Sequence, residues 1–383
     1  MKTSYFKTGV LLFLATTSIS FAAQAQDFLQ SAGTMFFSPI EGQRYGIEVE
    51  LMGLSQRQVV DIMARHFGGT EVQVDSKNIR LTNSKLGKAL DIKIEVNETS
   101  DDPTIDWSKH SKGIVIEIVT DPITFEEVKL LDQGLAEVKK AGGIGTEGKN
   151  PISIQVNYGM VQKQTADQQA KDLVNILRNY FNPAHQQQIK AVSNVPAERW
   201  DYLKPYSDGF MKKIFDPKYN PTAHELFVDF FYRQALEFLS ESPSQKRAAW
   251  LMSEAEVRHR IATLPEVDSQ GKPLGPYKVH TTIIKLNQLK IASLLLTWFP
   301  EDPYTRKIVD HKWIKPAPLI EYRIANNDFD VESKVRWATG IYRMSKTYGA
   351  IDHDTFMSRA TGKSVQEVRA ARKGKMCEHA FFF

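Results

Sequence analysis

Side chains suited to binding cations and phosphate occur at alternate positions in four separate segments of the chain. They are Glu48, Glu50, Glu117, Gln155, Asn157, Glu321 and Arg323. Side chains two apart on a β-strand share a face and lie about 7 Å apart, and a neighbouring strand lies about 4.8 Å away. Mg²⁺ or Mn²⁺ prefers carboxylate and amide oxygens, and a guanidinium binds phosphate through paired hydrogen bonds. The spacing therefore predicts a divalent-cation site on one face of a sheet, with Arg323 placed for a phosphate.

Glu117 argues against the simpler interpretation that these side chains form the wet side of a sheet. That interpretation suits Glu48 and Glu50 taken alone, because one face of an antiparallel sheet commonly meets water. Glu117, however, interrupts the apolar run Ile114–Val119. Such a run predicts a strand buried on both faces, where an unpaired carboxylate is costly. We therefore expect Glu117 either to pair with a base such as Lys93 or Arg323 or to bind a metal ion.

Alternation of apolar and polar residues predicts the strands that position these groups. In Tyr45–Leu51 the odd-numbered residues are apolar, while Glu48 and Glu50 share the other face. The same pattern predicts further strands at residues 71–75, 79–82, 90–96, 114–120, 152–158 and 319–324.

Helices are predicted where apolar residues recur at spacings of three and four. Ser55 and Thr124 are suitable N-caps for helices that end at Gly68-Gly69 and Gly142-Gly143. Further helices are predicted within residues 165–264, 282–298, 330–346 and 364–372. Together the elements predict an α+β fold, with an antiparallel or mixed sheet that has helices on one face and a polar functional face on the other.

The composition is that of an ordinary folded protein without a basic surface. The chain of 383 residues is 42% hydrophobic and 25% charged with one cysteine, which excludes a disordered chain and a disulfide scaffold. The net charge is +4, of which Lys2 and Lys7 supply half. Nucleic-acid-binding proteins are normally strongly basic, so no nucleic-acid partner is predicted.

The first 25 residues have the pattern of a secretory signal peptide. Lys2 and Lys7 form a basic start, an apolar stretch follows, and Ala23-Gln24-Ala25 is a cleavage site of the small-x-small type. We expect cleavage after Ala25 and a periplasmic or secreted mature chain. The apolar stretch Ile291–Phe299 is too short to cross a bilayer and indicates a buried helix, so no stable membrane span is expected after cleavage.

Five short motifs occur in a fixed order along the chain. They are Gly46-Ile47-Glu48-Val49-Glu50, Glu117-Ile118-Val119-Thr120-Asp121-Pro122, a strand at Ser153–Gly159, Leu286-Asn287 and Ile320-Glu321-Tyr322-Arg323. This order resembles the signature of the amidoligase family of carboxylate-amine ligases, from about Tyr45 to Lys346. The resemblance implies a glutamine synthetase-like catalytic domain at residues 26–346 with a helical insertion at about 165–300, and a helical tail at residues 347–383.

The same resemblance implies an ATP- and Mg²⁺-dependent enzyme that forms an amide or isopeptide bond through an acyl phosphate. Arg323 and Glu321 would be catalytic residues, and Gln155, Asn157 and Arg323 would bind nucleotide or substrate. Four carboxylates would ligate two or more Mg²⁺ ions, namely Glu48, Glu50, Glu117 and Glu321. The implied substrates are small-molecule or peptide carboxylates and amines, including cell-wall-derived ones.

Two features keep a second function open. Gln155 and Asn157 stand where the family usually has two histidines, and an exported chain lacks cytoplasmic ATP. The alternative is an exported relative that binds a peptide or cell-wall fragment without catalysis. A glycosidase with paired carboxylates is a further alternative, but none of the six tryptophans clusters in sequence with the acids. The glycine segment at residues 142–148 follows a predicted helix, which favours a helix end over a phosphate-binding loop.

Overall fold

The computed structural model describes somewhat more than half of the chain. The described residues are 40–87, 89–95, 114–145, 153–160, 164–182, 186, 206–264, 289–301, 318–325, 328–349, 364–367 and 369–370. The signal peptide predicted at residues 1–25 and most of the predicted tail at 347–383 lie outside these residues. Both, together with the predicted domain boundaries, stay predictions.

Among the described residues, eight strands form one open sheet. They are β1 (Tyr45–Leu51), β2 (Thr70–Asp75), β3 (Asn78–Thr82), β4 (Ala89–Glu95), β5 (Val115–Thr120), β6 (Ser153–Gly159), β7 (Leu289–Lys290) and β8 (Leu319–Ala325). Their order across the sheet is β2-β3-β4-β5-β1-β6-β8-β7, and every neighbouring pair is antiparallel. The predicted α+β fold is confirmed, and the sheet is antiparallel.

One strand departs from the sequence prediction. Alternation predicts the other seven strands to within one residue at each end. For the segment that contains β7, the spacing of apolar residues predicts a helix at residues 282–298. The structure instead pairs Leu289 with Tyr322 and Lys290 with Glu321, and the helix begins at Ala292. A strand of two residues is too short to show alternation, and residues 282–288 lie outside the described part of the chain.

The described residues also form ten α-helices. These are α1 (Gln56–Phe67), α2 (Phe125–Lys140), α3 (Ala166–Tyr180), α4 (Asp208–Phe215), α5 (Ala223–Val228), α6 (Gln234–Phe238), α7 (Pro243–Leu251), α8 (Glu254–Ala262), α9 (Ala292–Trp298) and α10 (Val331–Tyr348). A π-helical turn at Asp229–Arg233 joins α5 to α6. Within the described ranges, none of the helices has the length and apolar character needed to cross a membrane.

The hydrophobic core lies between one face of the sheet and the helices α1, α2, α3 and α10. The central strands contribute Ile47, Ile118 and Val156, all fully buried, because alternate residues of a strand point to the same side. Helix α10 packs against β6, α2 and α3. The opposite face of the same strands is thereby left to the polar side chains.

Capping boxes begin α1 and α2, as the sequence predicts. Ser55 Oγ accepts a hydrogen bond from the Gln58 backbone N–H, while Gln58 Oε1 accepts one from the Ser55 N–H. Thr124 and Glu127 make the same reciprocal pair at the start of α2. Helix α2 ends in a turn with Gly142 at φ 106°, so residues 142–145 form a helix end as predicted.

Candidate active site

The registers of four central strands align the predicted site residues on the face opposite the helices. The cross-strand partners are Glu50 with Glu117, Glu48 with Gln155, Gln155 with Arg323, and Asn157 with Glu321. Partners in an antiparallel pair have Cβ atoms about 5 Å apart. Register partners separated by as many as 168 positions in sequence, Gln155 and Arg323, therefore become neighbours.

This polar face is buried. The exposed fraction lies between 3% and 9% for Glu48, Glu50, Glu117, Gln155, Asn157 and Glu321. The interpretation of the Glu-x-Glu strand as the wet side of a sheet is therefore wrong. Buried carboxylates are stable only when hydrogen bonds, cations or protons compensate their charge, so each one has to be accounted for.

Glu50 accepts hydrogen bonds from two residues of β6. Its Oε2 accepts hydrogen bonds from the Ser153 backbone N–H at 2.7 Å and from Ser153 Oγ at 3.1 Å. Its Oε1 accepts one from Gln155 Nε2 at 2.9 Å, and the Arg323 Nη2 atom lies 3.6 Å away. Neighbouring strands thus hold the carboxylate in one orientation, with the guanidinium beside it.

Glu48 is bound by an amide. Asn157 Nδ2 donates to Glu48 Oε1 at 2.7 Å, and this bond sets the orientation of the amide because only its nitrogen can donate. Asn157 Oδ1 is consequently turned away from Glu48. It is buried and accepts no hydrogen bond from the described residues. A buried acceptor of this kind is costly unless a ligand supplies a donor or a cation.

Glu117 has a raised pKa. Burial, followed by the nearby charge of Glu95, raises the pKa of Glu117 to about 7, while Lys93 opposes the change. Lys93 Nζ lies 3.9 Å from Glu117 Oε2, so the expected pairing with a base is present but loose. Lys93 therefore compensates the charge of Glu117 only weakly, and a cation bound closer to this carboxyl group would stabilise it more.

Glu95 completes the group and was missed at the sequence level. It is an exposed residue at the end of β4, yet desolvation of its carboxyl group, followed by the charge of Glu50, raises its pKa. The signal was present, because alternation in residues 90–96 puts Glu95 on the same side as Lys93. What the sequence does not contain is the register that brings β4 beside β5.

Glu321 has an ion-pair partner, Lys290, that the strand patterns do not predict. Lys290 Nζ lies 2.6 Å from Glu321 Oε1, and the Glu321 side chain is buried while that of Lys290 is partly buried. Burial lowers the pKa of Lys290, while the neighbouring Glu321 raises it. Lys290 belongs to β7, whose Leu289 carbonyl accepts a hydrogen bond from the Tyr206 hydroxyl. Tyr206, which lies just before α4, thus helps to fix the strand that carries this lysine.

Three carboxylates are placed to hold one divalent cation. Glu50, Glu95 and Glu117 each offer an oxygen, and these oxygens lie within 4.8 Å of one another. Oxygens at this spacing can share one ion, and carboxylates are preferred ligands of Mg²⁺ and Mn²⁺. The donor set therefore fits the cation that the family resemblance implies. Of the four carboxylates expected to bind metal, Glu50 and Glu117 meet here, whereas Glu48 and Glu321 bond to an amide and an ammonium.

The fold and the site together define a class of α+β protein in which an antiparallel sheet presents buried carboxylates and a guanidinium on one face. A family model described as "Putative amidoligase enzyme" matches residues 41–260, more than half of the chain. The chain therefore belongs to this amidoligase family, which confirms the resemblance and supports a ligase in general. The match spans β1 to α8 and ends before β7 and β8. Comparisons with curated proteins and with solved structures found no match.

Proposed function

We propose that this protein is an ATP- and Mg²⁺-dependent carboxylate-amine ligase that forms an amide or isopeptide bond through an acyl phosphate. One observation carries the proposal: three carboxylates suited to a divalent cation lie next to a guanidinium on the polar face of the sheet. Glu50, Glu95 and Glu117 supply the oxygens, and Arg323 lies 3.6 Å from Glu50. A nucleoside triphosphate with its divalent cation has charges complementary to this arrangement.

In the proposed reaction, a carboxylate oxygen of the first substrate attacks the γ-phosphorus of ATP, and ADP leaves. The amine nitrogen of the second substrate then attacks the acyl carbon, phosphate leaves with the electrons of the C–O bond, and the amine loses a proton. Bound Mg²⁺ would neutralise phosphate charge. Arg323 would hold phosphate oxygens and stabilise the charge that develops on them, with Glu321 as its catalytic neighbour on β8.

The two amides would contribute to nucleotide or substrate binding. Gln155 holds Glu50 in place through its donated hydrogen bond. Asn157 offers its buried Oδ1 as an acceptor for an N–H or O–H group of a ligand. An amine substrate carries such donors, which is why Asn157 supports an amine site here. The proposed substrates are small-molecule or peptide carboxylates and amines, with cell-wall-derived peptides as candidates for an exported chain.

Phosphate release from ATP tests the proposal. The mature chain is incubated with ATP, Mg²⁺ and pairs of carboxylates and amines, including amino acids and muropeptide-like compounds. We expect phosphate release that requires both substrates, a new amide in the mass spectrum, and loss of turnover in Arg323→Ala. Arg80→Ala is the matched control, because Arg80 lies on β3, with four strands between it and Arg323 on β8, and pairs with Asp91.

Binding without catalysis is the second candidate, and a structural observation favours it. Amide donors already hydrogen-bond to Glu48 and Glu50, and Lys290 forms an ion pair with Glu321, so fewer carboxylate oxygens remain for metal ions than the family resemblance implies. Under this alternative, the protein binds a peptide or cell-wall fragment and releases no phosphate with any substrate pair. Measured peptide binding in the absence of nucleotide, combined with no phosphate release, would replace the ligase proposal with this one.

A further inference from the structure

At the β7 edge of the polar face, the positive charge beside Glu321 comes from a side chain of the protein, the Lys290 ammonium. Lys290 and Glu321 are register partners on β7 and β8, and Lys290 Nζ lies 2.6 Å from Glu321 Oε1. The two side chains are 15% and 8% exposed. The hydrogen bond from Tyr206 to the Leu289 carbonyl anchors the short strand that carries the lysine. The ammonium is therefore a built part of this face.

An ammonium in this position conflicts with a metal ion on the same carboxylate. A divalent ion bound to either oxygen of Glu321 would lie next to the Lys290 ammonium, at a buried place where like charges repel strongly. In the structure Lys290 forms an ion pair with Glu321, so a metal ion on this carboxylate would compete with the ammonium.

We propose that the Lys290 ammonium takes the place of a divalent ion at Glu321, so that the described part of the polar face binds one such ion, at Glu50, Glu95 and Glu117. The Lys290 ammonium is then a second positive group, beside Arg323, on the face that would receive phosphate. The use of that charge in catalysis rests on the proposed function, whereas the number of bound ions does not.

The residues around Glu321 would suit a divalent cation if the lysine were absent. Asn157 is the register partner of Glu321, and its buried Oδ1 accepts no hydrogen bond from the described residues. Glu48 bonds to the other end of the same amide. Two carboxylates and an amide oxygen are the ligand types that Mg²⁺ and Mn²⁺ prefer. Removal of the ammonium should therefore create a new cation site at this position.

Counting bound Mn²⁺ tests the inference without reference to activity. The wild type, Lys290→Met and Lys290→Arg are titrated with Mn²⁺ alone, and free ion is measured by electron paramagnetic resonance. We expect Lys290→Met to bind one ion more than the wild type and Lys290→Arg to bind the wild-type number. Equal numbers for the wild type and folded Lys290→Met would overturn the inference.

A double variant protects the test against misfolding. Lys290→Met leaves a buried carboxylate without its ammonium, which is destabilising, whereas Lys290→Met with Glu321→Gln removes both charges together. We expect the double variant to bind the wild-type number of ions with a Kd within about twofold of the wild type, since its charge balance at this position is unchanged. Loss of an ion in the double variant would show that Glu321 is a metal ligand and overturn the inference. A wild type that binds no Mn²⁺ would count against the proposed function, while the difference between variants would still decide this inference.

Discussion

At the residue scale, the candidate site depends most on Glu50. This carboxylate accepts hydrogen bonds from Ser153 and Gln155, lies near Arg323, and shares the three-carboxylate group with Glu95 and Glu117. Its orientation is fixed by protein donors before any ligand binds. A preorganised charge of this kind contributes to binding because no reorganisation is needed when the ligand arrives.

Glu50→Gln tests this role. The substitution keeps the shape of the side chain but removes the negative charge, so we expect the Kd for Mn²⁺ to rise by at least about tenfold, which corresponds to about 1.4 kcal/mol. Isothermal titration calorimetry measures the change. Glu126→Gln is the matched control, because Glu126 is exposed on α2 and pairs with Lys129. Equal losses in both variants, or no loss in Glu50→Gln, would contradict a specific metal-binding role.

At the element scale, close packing between α1 and α2 supports the face of the sheet opposite the site. Gly134 of α2 lies against the Phe67 ring at the end of α1, where an added Cβ would stand 2.5 Å from Phe67 Cζ. Such a distance is too short for two carbon atoms, so the helices must separate or the ring must move. Glycine at this position is therefore required by packing rather than by backbone conformation.

Gly134→Ala is expected to destabilise the protein by about 1 to 2 kcal/mol. Overpacking costs about 1 to 3 kcal/mol, and the better helix propensity of alanine returns up to about 1 kcal/mol of it. Urea unfolding measures the difference, and Phe67→Leu in the same chain should recover part of it by making room. Gly159→Ala is the control, since no atom lies within 4 Å of its added Cβ. Equal stability of Gly134→Ala and the wild type would show that the ring moves at no cost.

The start of α10 carries a second element-scale prediction, a pH dependence of stability. Asp132 of α2 accepts hydrogen bonds from the Val331 and Glu332 backbone N–H groups at 2.8 and 2.9 Å. Burial nevertheless raises the pKa of Asp132 to about 7 from its ordinary value of 3.8. The folded state thus binds the proton more tightly than the unfolded chain does. The resulting stability is complete below the ordinary pKa and is lost as the pH rises through about 7.

Asp132→Asn isolates this effect. Between the two pKa values, the free energy of unfolding of the wild type should fall by up to about 1.4 kcal/mol per pH unit relative to the variant. Glu95 and Glu117 also have raised pKa values, but they are present in both proteins, so their contributions cancel in the comparison. Unfolding curves from pH 5 to 8 give the two slopes. Parallel pH dependences would refute the assignment to Asp132.

The elements differ in how well the sequence predicts them, for physical reasons. Seven strands and the starts of α1 and α2 follow from alternation and capping, which are local properties. The partners of Glu321 and Glu117 do not, because Lys290 and Glu95 reach them through strand register across the sheet. Burial of Glu48 likewise depends on what covers the polar face of the sheet. The alternation of residues in one strand is the same whether that face meets water or is covered, so it does not predict this burial.

At the scale of the whole molecule, one sheet collects its site from distant parts of the chain. The family match at residues 41–260 includes Glu48, Glu50 and Glu117, whereas Lys290, Glu321 and Arg323 follow it in sequence. The antiparallel pairing of β6 with β8 joins the two sets. Positioning of the proposed phosphate-binding group therefore requires the complete sheet, so truncation after α8 should remove ATP binding along with β7 and β8.

Export is a separate proposal at the same scale. The pattern of residues 1–25 predicts removal of a signal peptide after Ala25, and the periplasmic or secreted location would limit the supply of ATP. N-terminal sequencing of the protein from a periplasmic fraction should begin at Gln26. A cytoplasmic chain that keeps Met1 would contradict export. The proposed ligase would then have cytoplasmic ATP available.

Calorimetric titration of the mature chain with ATP at millimolar Mg²⁺ tests the central claim most directly. We predict saturable binding in the wild type that disappears when Mg²⁺ is omitted and in Arg323→Ala, because the cation and the guanidinium both neutralise the triphosphate. Arg80→Ala should bind as the wild type does, since Arg80 pairs with Asp91 outside the site. No ATP binding by the folded wild type would contradict the nucleotide-dependent ligase and leave the family and fold as the only conclusions.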